Sequence, residues 1–191
     1  MTQPATSVVR YCGFFSGSRV DKVLEYGAGT LRNALYLIDQ GFTVYAADLP
    51  EQVKVLRGHP AVHRLAGLLE VGELALSRLG VDLVISTYVF NIILQQVERQ
   101  HYLQNVVANL RPGGFLLMEV CCRRDQFECG SEENRQFKCS NCSRTYTHHE
   151  LDRLMTPYGL KQVCHYYSDH AVAVIYQLSG EPYLQQQAVA G

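Results

Sequence analysis

The chain has 191 residues, 47% of them hydrophobic, the size and apolar content of one compact domain that folds without disulfide staples. Seventeen Lys and Arg against 18 Asp and Glu give a formal charge of −1, which argues against a chain-wide electrostatic grip on nucleic acid or an anionic membrane. The longest near-continuous apolar run, 115–122, is far short of the ~20 residues of a membrane span and contains Glu119.

Short apolar runs alternate with amphipathic stretches, the pattern of a parallel sheet flanked by helices. Residues 22–26 read as a first strand, followed by a glycine turn and a helix over 31–40. In that helix Leu31, Ala34, Leu35 and Ile38 keep i, i+3, i+4, i+7 spacing, and Gly41 ends it. A second strand over 43–47 leads through Leu49-Pro50 into a short helix near 51–56. Residues 59–65 read as a weak third strand, 68–79 as helical and 82–86 as a clear fourth strand. A helix over 95–110 stops at Arg111-Pro112-Gly113-Gly114, and 115–120 form the fifth strand. Residues 121–146 break the alternation: they are polar and Cys-rich, with five basic and four acidic side chains. Thr147-His148-His149-Glu150 has the form of a capping box and opens a helix to about Met155, ended by Pro157-Tyr158-Gly159. Two antiparallel strands near 161–167 and 170–178 close the domain, and the tail over 180–191 reads as frayed.

The stretch Glu25-Tyr26-Gly27-Ala28-Gly29 carries most of the chemistry. A strand running into Gly-x-Gly lets backbone approach a ligand and points the next helix N-terminus at it, although glycines also serve simple turns. Asp48 closes the second strand about twenty residues on, where an acid can hold both hydroxyls of a ribose; its other role would be to cap the helix that follows. A dinucleotide fingerprint wants a third glycine at position 32, which is Arg32. An acid two residues before the first glycine suits a ligand with a cationic amino group and no phosphate. S-adenosylmethionine (SAM) is such a ligand.

Glu25-x-Gly27-x-Gly29, Asp48, Asp82-Leu-Val-Ile-Ser-Thr and Leu110-Arg-Pro-Gly-Gly-Phe together resemble the motif series of the class I SAM-dependent methyltransferases. The resemblance spans about 20–178, and the run 29–42 is most similar to small-molecule methyltransferases of the tellurite-resistance type, which usually carry Gly where this chain has Leu31. It implies an α/β, single-domain Rossmann-like methyltransferase fold over 1–191, with a mostly parallel seven-stranded sheet, helices on both faces and a Cys-rich insertion over 121–146. It also implies that Glu25 neighbours the methionine amino group and that Gly27, Ala28 and Gly29 shape the methionine pocket. Asp48 and Leu49 then hold the ribose, Ser86 and Tyr88 contact the cofactor, and Gly67, with Ala66 or Leu68, borders adenine. Tyr88, Asn91, Tyr146 and His148 are acceptor-side candidates by position, with His149 beside them, and no general base stands out.

The chain has seven cysteines, five of them within positions 121–142. Cys139-Ser-Asn-Cys142 with Cys129 supplies three ligands of a structural zinc site, and Cys122 is the first choice for the fourth; free thiols and a disulfide pair remain the other readings. Cys12 and Cys164 read as small core residues. The start lacks a secretory pattern, so the expected location is the cytoplasm. The leading expectation is methyl transfer from SAM to a small-molecule acceptor (O, N, S or metalloid). Two alternatives stand beside it: a macromolecular acceptor recognised by the Cys-rich segment, and a non-catalytic relative that binds SAM, nucleotide or metal.

Overall fold

The computed structural model describes residues 3–122, 144–168 and 170–180. A mixed seven-stranded sheet runs β3-β2-β1-β4-β5-β7-β6, with helices on both faces. The strands are β1 (Lys22–Tyr26), β2 (Thr43–Asp48), β3 (Gly67–Glu70), β4 (Val81–Thr87), β5 (Leu110–Cys121), β6 (Leu160–Tyr167) and β7 (Ala171–Leu178). Strands β1 to β5 pair in parallel, and β7 inserts antiparallel between β5 and β6. The central strands are buried on both faces, which is why β4 and β5 read as apolar runs without clean alternation.

The helices are α1 (Thr6–Gly17), α2 (Arg32–Asp39), α3 (Pro50–Arg57), α4 (Leu74–Ser77), α5 (Gln96–Asn109) and α6 (His148–Met155). Val8, Cys12 and Phe15 of α1, Ala34 and Leu37 of α2 and Leu56 of α3 pack on one face of the sheet. Leu74 of α4, Tyr102, Leu103 and Val106 of α5 and Leu151 and Met155 of α6 pack on the other. The capping box at α6 is present: Thr147 Oγ1 accepts from Glu150 N, and the Glu150 carboxylate accepts from Thr147 N.

Three elements differ from the sequence expectation. Helix α1 was not anticipated, because Gly13, Ser16 and Gly17 dilute a pattern whose buried positions nevertheless keep helical spacing. The expected third strand over 59–65 is a 3-10 turn at Val62–Arg64, and the strand forms later, at Gly67–Glu70, inside the stretch read as helix. Pairing with β2 decides this, since the short run Leu68-Leu69 is too brief to distinguish the two by periodicity. The Arg111-Pro112-Gly113-Gly114 turn lies within β5 as a register shift against Val81 and Leu83. A Cβ on Gly114 would stand 2.9 Å from the Arg111 carbonyl oxygen, and Gly113 sits at φ +76°. At this amino-terminal end of the sheet Asp82 accepts from Asp21 N and Lys22 N and pairs with Arg111. Burial pushes its carboxyl up, yet these donors outweigh that and hold it below the usual carboxylate range.

Candidate active site

Period-two alternation sets which side chains reach the carboxyl edge of the sheet on the α1 face. Glu25 ends that series on β1 and Thr87 on β4, and Glu119 belongs to it on β5; Thr87 is paired with Glu119, and Glu119 with Ala173 of β7. Next to them a cavity of about 370 Å³ is lined by Glu25, the turn Gly27-Ala28-Gly29-Thr30, Arg32, Asn33, Thr87 and Tyr88.

Glu25 is 2% exposed. Its carboxylate accepts from Asn33 Nδ2 at 2.9 Å and from the first-turn amide of Ala34 at 3.0 Å. Burial pushes the carboxyl up to about 8, against the lowering pull of those two donors and of Arg32. Asn33 is itself a hub, donating to Thr87 Oγ1 and accepting from Ala5 N at 2.8 Å, so the start of α1 is fastened to the first turn of α2.

The turn and the acid of β2 are one unit. Asp48 accepts from Gly29 N at 2.7 Å and from Leu49 N at 2.7 Å, and Gln52 Nε2 donates to the Gly29 carbonyl at 2.5 Å. Each Asp48 oxygen keeps a second acceptor position, enough for a pair of vicinal hydroxyls. Gly27 sits at φ +82°, and a Cβ there would run into Val89 Cγ2. Gly29 has φ +53° with open space where a Cβ would be. Leu31 occupies the same left-handed region at φ +61° as the N-cap of α2, completely buried.

Glu119, 4% exposed, accepts from Tyr88 Oη at 2.7 Å and from Ser7 Oγ of α1. Tyr88 has φ +61°, and its amide donates to the Glu119 carbonyl at 2.7 Å. Burial first, then the hydrogen bond to Glu119, raises the Tyr88 phenol above its ordinary value.

The structure therefore brings Glu25, Gly27, Ala28, Gly29 and Tyr88 to one cavity, with Asp48 bonded to its rim and Leu49, 59% exposed, beside it. Other expected residues lie elsewhere. Gly67 opens β3 instead of following a strand, opposite Tyr45, so it and its neighbours Ala66 and Leu68 sit away from the carboxyl edge; Val71-Gly72 now follows that strand. Ser86 is buried on the α5 face, one residue out of phase with Thr87. Tyr146 packs against Phe90 in the core of that face, and the Asn91 carbonyl accepts from Arg144 N. His148 starts α6, its ring stacked on His165 at 3.8 Å and its Nδ1 2.8 Å from Tyr167 Oη. Cys122 is buried and bridges to Tyr146, whereas Cys129, Cys139 and Cys142 lie outside the described residues. Among the described residues no group of three or more His, Cys, Asp or Glu side chains could hold a metal ion. Sequence reasoning missed Ser7, Asn33, Thr87 and Glu119. A carboxylate inside an eight-residue apolar run was the available signal for Glu119.

With this geometry in hand, comparisons with known proteins are decisive for the class. A family model described as a methyltransferase domain matches residues 5–165. The chain belongs to that family of methyltransferases. Among solved structures, it is similar to the 1,6-didemethyltoxoflavin-N1-methyltransferase of Burkholderia thailandensis, solved with its substrate and S-adenosylhomocysteine (SAH). That match has 18% identity and a TM-score of 0.66, covering 91% of this chain and 79% of the other. Human N-acetylserotonin methyltransferase in complex with SAM matches at 16% identity and TM-score 0.72, covering 91% and 52%. TehB from Haemophilus influenzae matches at 18% and 0.66, covering 93% and 63%. At these identities the structural matches speak for the fold. No curated protein sequence matches the chain.

Proposed function

We propose that this methyltransferase is SAM-dependent, takes SAM in the glycine-turn cavity and methylates a small-molecule acceptor. The observation that carries the reading is the bond between Asp48 and Gly29 N, which joins a ribose-type acid to a turn with no room for a side chain at Gly27. The donor set suits SAM: a buried carboxylate for the ammonium, glycines for close approach, a two-oxygen acid for the ribose and no third glycine for a pyrophosphate. Among the residues that the resemblance suggested, Glu25, Gly27, Ala28, Gly29, Asp48 and Leu49 keep their cofactor roles in this reading, and Tyr88 keeps its acceptor-side place.

Bound SAM supplies a methyl group on a cationic sulfur. The protein's own part is to hold the acceptor in line with that methyl and to exclude water. Glu25 ionises against the ammonium, Asp48 orients the ribose, and α1, fastened through Ala5 to Asn33 and through Ser7 to Glu119, braces two of the residues at this edge of the sheet. A cavity of about 370 Å³ favours a small-molecule acceptor, and the toxoflavin and acetylserotonin enzymes named above favour the same class. Calorimetry with SAH tests the cofactor. Wild-type protein binds it, and Asp48→Ala weakens binding about ten- to a hundredfold through loss of charge-assisted hydrogen bonds worth about 1.5–3 kcal/mol. Unchanged affinity in the folded variant refutes this site.

A further inference from the structure

One buried acid near the cavity has no part in holding SAM. Glu119 lies two strands from Glu25 on the same face and edge of the sheet, and its two carboxylate oxygens are engaged separately, Oε2 by Ser7 and Oε1 by Tyr88. Tyr88 is anchored twice to the same residue, by its amide to the Glu119 carbonyl and by its hydroxyl to the carboxylate. It holds this position in a left-handed backbone conformation that non-glycine residues seldom adopt, the kind of local strain that functional sites retain. Tyr88 also lines the cavity, and its phenol oxygen, with its proton given to Glu119, keeps lone pairs for a ligand.

We propose that Tyr88 and Glu119 form a proton-accepting pair for methyl transfer, so that the acceptor atom is a nitrogen or oxygen bearing a proton. Thioether sulfurs, tertiary amines and metalloid oxyanions lie outside this class. The proposal rests on the SAM reading of the cavity. As the acceptor lone pair bonds to the methyl carbon, the carbon–sulfur bond breaks and its electron pair stays on sulfur. The acceptor proton moves to Oη of Tyr88, the phenol proton moves to Oε1 of Glu119, and Glu119 passes it to water. Tyr88 is the catalytic residue of the pair, and Glu119 is a positioning residue that acts through it. Among the described residues, groups that interact electrostatically with the pair include Tyr166 from β6 and Arg32 from α2, with Arg10 of α1 over the Tyr166 ring.

The test uses the full chain, Glu119→Gln and Tyr88→Phe. Each is measured for SAH affinity by calorimetry and for transfer from radiolabelled SAM to two sets of probes. A phenol, a primary amine and an imidazole form the protic set; trimethylamine, dimethyl sulfide and tellurite form the other. The wild type methylates protic probes. Both variants bind SAH within about threefold of wild type and lose about a hundredfold or more in turnover, the usual size of a general-base contribution. Glu119→Gln regains rate as pH rises and hydroxide takes over the proton, a profile that a purely structural role would not produce. Variants with wild-type turnover overturn the proposal, as does a wild type that uses only aprotic probes or none while binding SAH. Failure of the wild type to bind SAH refutes the cofactor reading instead.

Discussion

Leu31 offers a measurement in which an ordinary stability ranking inverts. It is the N-cap of α2 at φ +61°, ψ 16°, fully buried, with its amide bonded to the Ala28 carbonyl and its carbonyl to the Leu35 amide. Truncating such a buried leucine to alanine costs about 2–5 kcal/mol. Alanine keeps the left-handed strain of about 1–2 kcal/mol, whereas glycine removes it at an entropic cost of about 0.5–1 kcal/mol. Leu31→Gly is therefore more stable than Leu31→Ala by roughly 0.5–1 kcal/mol, the reverse of the order inside an ordinary helix. Urea unfolding resolves this as a midpoint difference of about 0.3–0.5 M, with both variants below wild type. An alanine variant as stable as the glycine variant refutes the backbone argument and, with it, the shape assigned to this turn.

Two other predictions concern protons. The Glu25 carboxyl lies at about 8 in the folded chain against an ordinary 4.5, so the folded state binds the extra proton and ligand-free stability declines as pH rises between those values. SAH, whose ammonium requires the carboxylate, gains affinity about ninefold from pH 6 to pH 7 and releases close to one proton, read by calorimetry in two buffers; a flat profile contradicts the pairing. Asp82 behaves with the opposite sign. Its lowered carboxyl lends stability above the ordinary carboxylate range that is lost as pH falls through the folded value, and Asp82→Asn shows a flatter acid limb in thermal melts than wild type.

Local sequence carried the parts of this molecule whose causes are local. The glycine turn, Asp48 at the end of β2 and the capping box at Thr147 are each set by residues within a few positions or by one parallel pairing. Strand β3 was misplaced because neither 59–65 nor 67–70 announces itself; the choice is made by β2, with Gly67 passing close to the Tyr45 ring. Glu119 stood out only as a carboxylate in an apolar run, and its partners were hidden for a different reason. Its partners are 31 and 112 positions away, and no periodicity links them. Tyr146, Asn91 and His148 were proposed from chain order after a strand, but chain order does not say which face of the sheet a side chain meets.

The hydrogen bond between Ser7 and Glu119 also orders events in time. Helix α1 leaves the ribosome before the sheet does, yet the carboxylate that Ser7 bonds is made 112 residues later, after the first four strands. Until β5 docks beside β4, α1 has its apolar stripe and its bond to Asn33 but not its second anchor, and closing so long a loop is entropically slow. The arrangement of Tyr88 and Glu119 is thus a late product of folding, complete only when the fifth strand is in register.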